Sequence, residues 1–299
     1  MKKFLTIFVS VLVFSLVSCD QNTPENPDSG TNSGNSADSG SNDNSEKLPV
    51  VEFSVSSTKK VLFSPGNLQC YVANGTIQSW RFAPNQTECL GNANMERTGY
   101  KDLFFWSCTT SGKYGVATNN SGNADNIGGV FVDWGKNKIG DYEPNTWRTL
   151  SIAEWGYLIY ERPNSSSLYG IAKVGTINGL IILPDKWSCP VGITFKSGVS
   201  YMDGSEYYGK FQTFTNEQWL KMEKAGAIFL PAAGKRFTSW SEDEEDSIEY
   251  TMDLGCYWAS DSEYYANTYG AFFLKFESDV VELYSWYENG LSVRLVKDL

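Results

Sequence analysis

Bulky side chains are distributed so unevenly along this chain that its organisation follows from where they stop. All ten tryptophans lie beyond residue 48, whereas Asp20 to Lys47 is built almost entirely from Asn, Ser, Gly, Asp, Pro and Thr with no aromatic or β-branched apolar residue. A stretch of that kind has nothing to bury against its ordering entropy and is expected to be a flexible tether. At roughly 5–6 Å times the square root of its length, such a linker spans about 30 Å. Residues 48–299 carry the apolar payload for one folded domain.

Within that domain, short apolar runs are separated by Gly, Asn and Ser turn signals. Val51, Phe53 and Val55 alternate with polar neighbours as in a half-buried strand, and Lys60 to Phe63 and Gln78 to Ala83 read as further strands. Ala117 to Gly129 reads as a loop. Two helices are expected. Ser151 opens an S-x-x-E capping box with Glu154, after which Ile152, Trp155, Leu158 and Ile159 share a face until Pro163. Thr215 opens a second helix, with Trp219, Met222 and Leu220 inward, that ends before Gly226. Ala271 to Glu277, Val280 to Tyr287 and Leu291 to Val296 are expected to form a closing meander, broken at Ser278-Asp279 and Glu288-Asn289-Gly290, since Asn-Gly tolerates positive φ. Two helices among many short strands give the class α+β.

The N-terminus carries Lys2 and Lys3 before an apolar run, Phe4 to Leu16, that is short for a membrane span. Residues 1–18 are therefore expected to be a signal peptide. Leu16-Val17-Ser18-Cys19 resembles the lipobox of bacterial lipoproteins, which implies lipidation of Cys19 and a lipid-anchored tether over residues 19–47. Several acyl chains on one cysteine hold a protein at a membrane where a single chain does not. Asp20, Glu25 and Asp28 resemble the surface-export leaders of Bacteroidota lipoproteins, implying an outer-membrane, cell-surface location, whereas an Asp directly after the lipidated cysteine resembles an inner-membrane retention signal in enteric bacteria.

Composition excludes several activities. The chain has no histidine, which removes Ser-His-Asp and Cys-His nucleophiles and His-ligated zinc. Its 24 basic and 35 acidic residues give a net charge of −11. With no basic stretch to track a phosphate backbone, nucleic acid is not an expected partner.

Gly255-Cys256-Tyr257-Trp258-Ala259-Ser260, an aromatic strand over Phe272 to Phe276, and Gly290-Leu291-Ser292-Val293-Arg294-Leu295-Val296 follow one another in an order that resembles the Fibrobacter succinogenes major paralogous domain. Trp147-Arg148-Thr149-Leu150-Ser151 with Glu154-Trp155 is similar to a helix entry of that family and of formylglycine-generating-enzyme-like proteins. Phe63-Ser64-Pro65-Gly66-Asn67-Leu68-Gln69, with Trp80-Arg81-Phe82-Ala83, looks like the opening of a related group of Bacteroidota surface proteins. The resemblance implies a C-type-lectin-like fold with a twisted antiparallel sheet and long irregular loops. It does not imply oxidase chemistry, because the closely spaced late cysteine pair of formylglycine-generating enzymes is missing: the late cysteines here are Cys189 and Cys256. Nor does the chain carry the Glu-Pro-Asn or Trp-Asn-Asp calcium motifs of sugar-binding C-type lectins, and a fold alone confers no ligand.

The remaining candidates divide into bland and chemical readings. Cys70, Cys89, Cys108, Cys189 and Cys256 show no C-x-x-C spacing, so buried small hydrophobes are expected, with one disulfide as the alternative. Glu242 to Asp246 lacks the arrangement of a calcium loop and reads as a solvated acidic loop. No local feature selects a carboxylate pair for glycoside hydrolysis. Arg294 and Arg236 read as structural clamps, and Trp147, Trp155, Trp187, Trp219 and Trp258 as core. The segments around Tyr264, Tyr265, Asn267 and Tyr269, and around Tyr284, Trp286, Tyr287 and Asn289, combine rigid aromatic area with adaptable amides, the composition of a recognition surface. The expectation is a non-catalytic protein with no cofactor and no metal, binding an extracellular glycan or protein through these aromatic-polar loops. A subunit of a surface assembly and a carboxylate glycosidase are the alternatives.

Overall fold

A computed structural model of the chain describes residues 51–73, 76–96, 98–107, 130–198, 212–237, 247–249, 253–265, 268–277, 280–286 and 289–299. The leader, Cys19, the tether, the 117–129 segment and the acidic run Glu242 to Asp246 lie outside them. Among the described residues the class is α+β, with two short α-helices and five small sheets, antiparallel except where Tyr169–Val174 pairs with Gln212–Phe214.

Both helices start where local chemistry places them. Helix α1 (Ile152–Gly156) has Ser151 as N-cap, with its hydroxyl accepting from the Glu154 N–H and the Glu154 carboxylate accepting from the Ser151 N–H. It continues as a π-turn over Tyr157–Glu161, and Trp155, Leu158 and Ile159 are buried. Helix α2 (Asn216–Lys224) repeats the device with Thr215 and Gln218. Trp219 and Met222 face inward, but Leu220 is exposed, because it falls on the opposite side of the helix from that pair. Trp187, expected in the core, is only half-buried against the cluster that α2 covers.

The expected first strand is shorter than the alternation of Val51, Phe53 and Val55 suggests: pairing is confined to Phe53–Ser54, after which Val55 turns back onto Lys59. The strand expected from Gln78 runs from Thr76 to Phe82 and pairs with Leu68–Ala73.

The C-terminal third departs most from expectation. A meander is present, but its strands are Gly255–Tyr265, Thr268–Glu277 and Val280–Trp286. Leu291 to Val296 does not extend it as a further antiparallel strand; Ser292 touches it in a parallel bridge to Tyr257, bonding the backbone of Cys256 and Trp258. Leu295–Asp298 instead crosses to lie between Lys60–Phe63 and Arg148–Thr149; on the way Leu291 exchanges backbone hydrogen bonds with Phe104, and the Val293 carbonyl accepts from the Leu68 N–H. Leu291 to Val296 is buried throughout, a pattern that fits a central strand better than a meander edge.

The meander sheet has apolar packing on both faces. One face gives Tyr257, Leu274 and Phe276 to a cluster with Phe53, Trp155 and Leu180. The other gives Trp258, Ala271 and Phe273 to a cluster with Trp80, Phe104 and Trp134. Cys70 and Cys256 lie in this second cluster as small buried side chains. Gly255 opens the sheet because a Cβ there would stand 2.0 Å from the ring of Phe276 on the neighbouring strand.

Candidate functional site

In their described parts the aromatic-polar segments are strands: Tyr264 and Tyr265 pair with Tyr269 and Thr268 at the far end of the first two meander strands, and Tyr284 and Trp286 belong to the outer strand. Side chains alternate between the faces of a strand, so Tyr264 and Tyr269 share a face with Phe273. Phe273 in turn stands opposite Tyr284 on the outer strand. Three tyrosines are thus brought to one face. They are 60% (Tyr264), 39% (Tyr269) and 41% (Tyr284) exposed, although each sits within a strand.

Each is held by a ring neighbour. Tyr264 and Tyr269 pack against one another with centroids 4.6 Å apart, and Tyr284 meets Phe273 edge-to-face at 5.6 Å. Cross-strand aromatic pairs of this kind stiffen a surface without burying it. Beside Tyr284, Lys275 stands opposite Glu282 and bonds Glu277 at 2.7 Å and Glu282 at 3.2 Å. Its ammonium lies 5.7 Å from the Tyr284 ring centroid. Burial disfavours the charged ammonium, but the hydrogen bonds to Glu277 and Glu282 outweigh this and raise its pKa above the ordinary lysine value.

A bulge sets where this end of the sheet points. Pairing between Gly255–Tyr265 and its neighbour shifts between Trp258 and Ser262, and such a bulge re-aims the strand beyond it. The released backbone is satisfied from outside the sheet: the Trp155 indole donates to the Trp258 carbonyl, the Trp106 indole to the Ala259 carbonyl, and the Ser260 N–H to the Leu150 carbonyl. The Asp261 carboxylate accepts from the Ile152 N–H at the start of α1. The tyrosine tip is therefore mounted on helix α1 and two core tryptophans.

Of the other expected site residues, Tyr265 pairs with Thr268 at the tip and Trp286 with Ala271 on the outer strand. Asn289 is not on this sheet; it pairs with Phe237 in a separate small one. Asn267 and Tyr287 lie outside the described residues. Sequence reasoning missed Lys275, Glu277, Glu282 and Asp261. The period-two pattern Lys275-x-Glu277 against Glu282-x-Tyr284 was there to be seen, but it becomes a cluster only once the hairpin register is known.

The buried polar groups elsewhere serve the architecture. Arg294, whose pKa burial depresses to about 10, donates to the amide oxygens of Asn67 and Gln86, and Gln86 passes the link on to Glu223 of α2. The Tyr257 hydroxyl donates to the Pro231 carbonyl and accepts from Asn67. Arg236 is buried with its guanidinium 4.8 Å from the Phe105 ring centroid. Arg148 clamps Glu154 of α1 to Asp298 of the last strand, with bonds of 2.6 Å to each. Among the described residues no group of three or more Cys, Asp or Glu side chains is gathered to hold a metal ion, and no helix is long and apolar enough to cross a membrane.

Compared with protein-family models, curated proteins and solved structures, the chain matches none of them.

Proposed function

We propose that this is a lipid-anchored envelope protein, attached through Cys19 at the cell surface, whose domain binds an extracellular glycan or protein without catalysis. The observation that carries this reading is the gathering of Tyr264, Tyr269 and Tyr284 on one sheet face, ring-paired yet open to solvent. Rigid tyrosines give contact area at low entropic cost, and neighbouring carboxylates orient a hydroxyl-bearing partner. The proposed C-type-lectin-like fold rests on the motif order Gly255 to Ser260 and Gly290 to Val296. Two helices and a late antiparallel sheet are compatible with it.

The test is an array of glycans and host-matrix proteins, probed with the full-length chain in detergent and with a Tyr264/Tyr269/Tyr284 triple-alanine variant. A saturable hit lost in the variant supports the reading. A hit retained by the folded variant would remove the face from it.

A further inference from the structure

We infer that the tyrosine face takes a neutral, extended oligosaccharide, contacted at two separated points. This rests on the binding-face reading above and narrows its ligand.

Charge argues first. The chain is acidic, at −11 overall, and Lys275 is held between Glu277 and Glu282. The described part of the face therefore offers no uncommitted cation to a uronic or sialic acid, and its field repels anionic chains. The kind of exposed side chain argues next. The exposed bulky residues described on this sheet are Tyr264, Tyr269 and Tyr284, and none is aliphatic. A tyrosine presents an apolar ring face to the C–H surface of a sugar and a hydroxyl to its rim. Glu277 and Glu282 add acceptors for sugar hydroxyls.

Length follows from register. Tyr269 and Phe273 are four residues apart on one strand, and Tyr284 is one strand over from Phe273. At ~3.4 Å per residue and ~4.8 Å per strand, the Tyr264/Tyr269 pair and Tyr284 are roughly 14 Å apart. One sugar ring reaches one contact point; a chain of about three rings reaches both, so the second contact becomes intramolecular.

The experiment is calorimetric titration of the full-length chain in detergent with gluco-, manno- and xylo-oligosaccharide ladders of one to six units, and with an oligogalacturonate ladder as the anionic arm. In at least one neutral ladder, affinity is expected to rise about tenfold between two and four units and then level off. Tyr284→Ala should flatten that rise and leave the shortest ligands unchanged, whereas Tyr264→Ala should weaken every length. All three residues are exposed, so these variants should fold, and circular dichroism checks it. Binding without a length step, tighter binding of the galacturonate ladder, or silence in every neutral ladder would overturn the inference. If silence in the ladders is accompanied by a protein ligand that the same variants lose, the binding face stands and the oligosaccharide does not. If a neutral ladder binds but none of the variants alters it, the face itself is misplaced.

Discussion

The two ends of the meander sheet use the same residue types for opposite purposes. At the inner end, Trp258, Tyr257, Phe273 and Phe276 are sealed between two apolar clusters, and even their polar atoms are spoken for: the Trp258 indole donates to the Phe104 carbonyl and the Tyr257 hydroxyl to that of Pro231. Towards its exposed margin, Tyr264 and Tyr269 lie past the bulge at Trp258–Ser262 and pack on each other, while Tyr284, on the outer strand, meets Phe273 and stands near the Lys275 ammonium; all three are open to water. Aromatic content alone therefore does not distinguish core from surface; position relative to the bulge and the sheet edge does.

The sharpest way to break this contrast is to truncate one ring at each end. Trp258→Ala leaves a cavity between core elements and removes the indole's hydrogen bond to the Phe104 carbonyl, and is expected to cost about 3–5 kcal/mol in urea unfolding. Tyr264→Ala should change stability by no more than about 0.5 kcal/mol. Comparable losses at the two positions would show that the outer tyrosines are structural.

Arg148 provides a medium-sized test of how the inner end is mounted, since it ties α1, on which the bulge rests, to the last strand. Arg148→Ala should cost about 2 kcal/mol, the scale of lost hydrogen bonds to charged groups, measured by the same unfolding curves. The pairing lowers the pKa of Glu154 and Asp298 despite partial burial: for Glu154 burial is the larger single influence and its bonds to Arg148 and Ser151 outweigh it, and for Asp298 the bond to Arg148 leads. Their contribution is present above the usual carboxylate range and is lost as pH falls through their lowered values.

Asp102 gives the opposite slope. It is fully buried beneath the Leu90–Asn94 turn, accepting from the Leu90 N–H and the Asn94 amide, and burial pushes its pKa up to about 6. The folded state thus binds its proton more tightly than the unfolded chain does, so this group's contribution improves as pH falls from above 6 towards 4. Thermal melts from pH 7 to pH 4 should show wild type gaining on Asp102→Asn as the pH drops. A constant difference between the two would contradict the assignment.

Much of the local structure was legible in the sequence because it is set by neighbours in the chain. Both capping boxes, Ser151/Glu154 and Thr215/Gln218, follow from residues three apart, and two strands of the meander follow from their turns. What was not legible depends on partners far away. Leu291 to Val296 reads as one more meander strand until its burial on both sides sends it to Lys60–Phe63 and Arg148–Thr149. The candidate tyrosines were found by composition, but Asn289 was grouped with them by proximity in sequence and belongs to another sheet. Lys275 and Asp261 were overlooked because their roles come from a cross-strand register and from the N-terminus of α1.

The central claim is that Tyr264, Tyr269 and Tyr284 are dispensable for folding and required for recognition. The most direct measurement is saturable binding of the triple-alanine variant on the glycan and matrix array, taken on material whose unfolding midpoint matches wild type. The account predicts that a ligand captured by wild type is lost while the midpoint is kept. Undiminished binding by a variant of unchanged stability would contradict it.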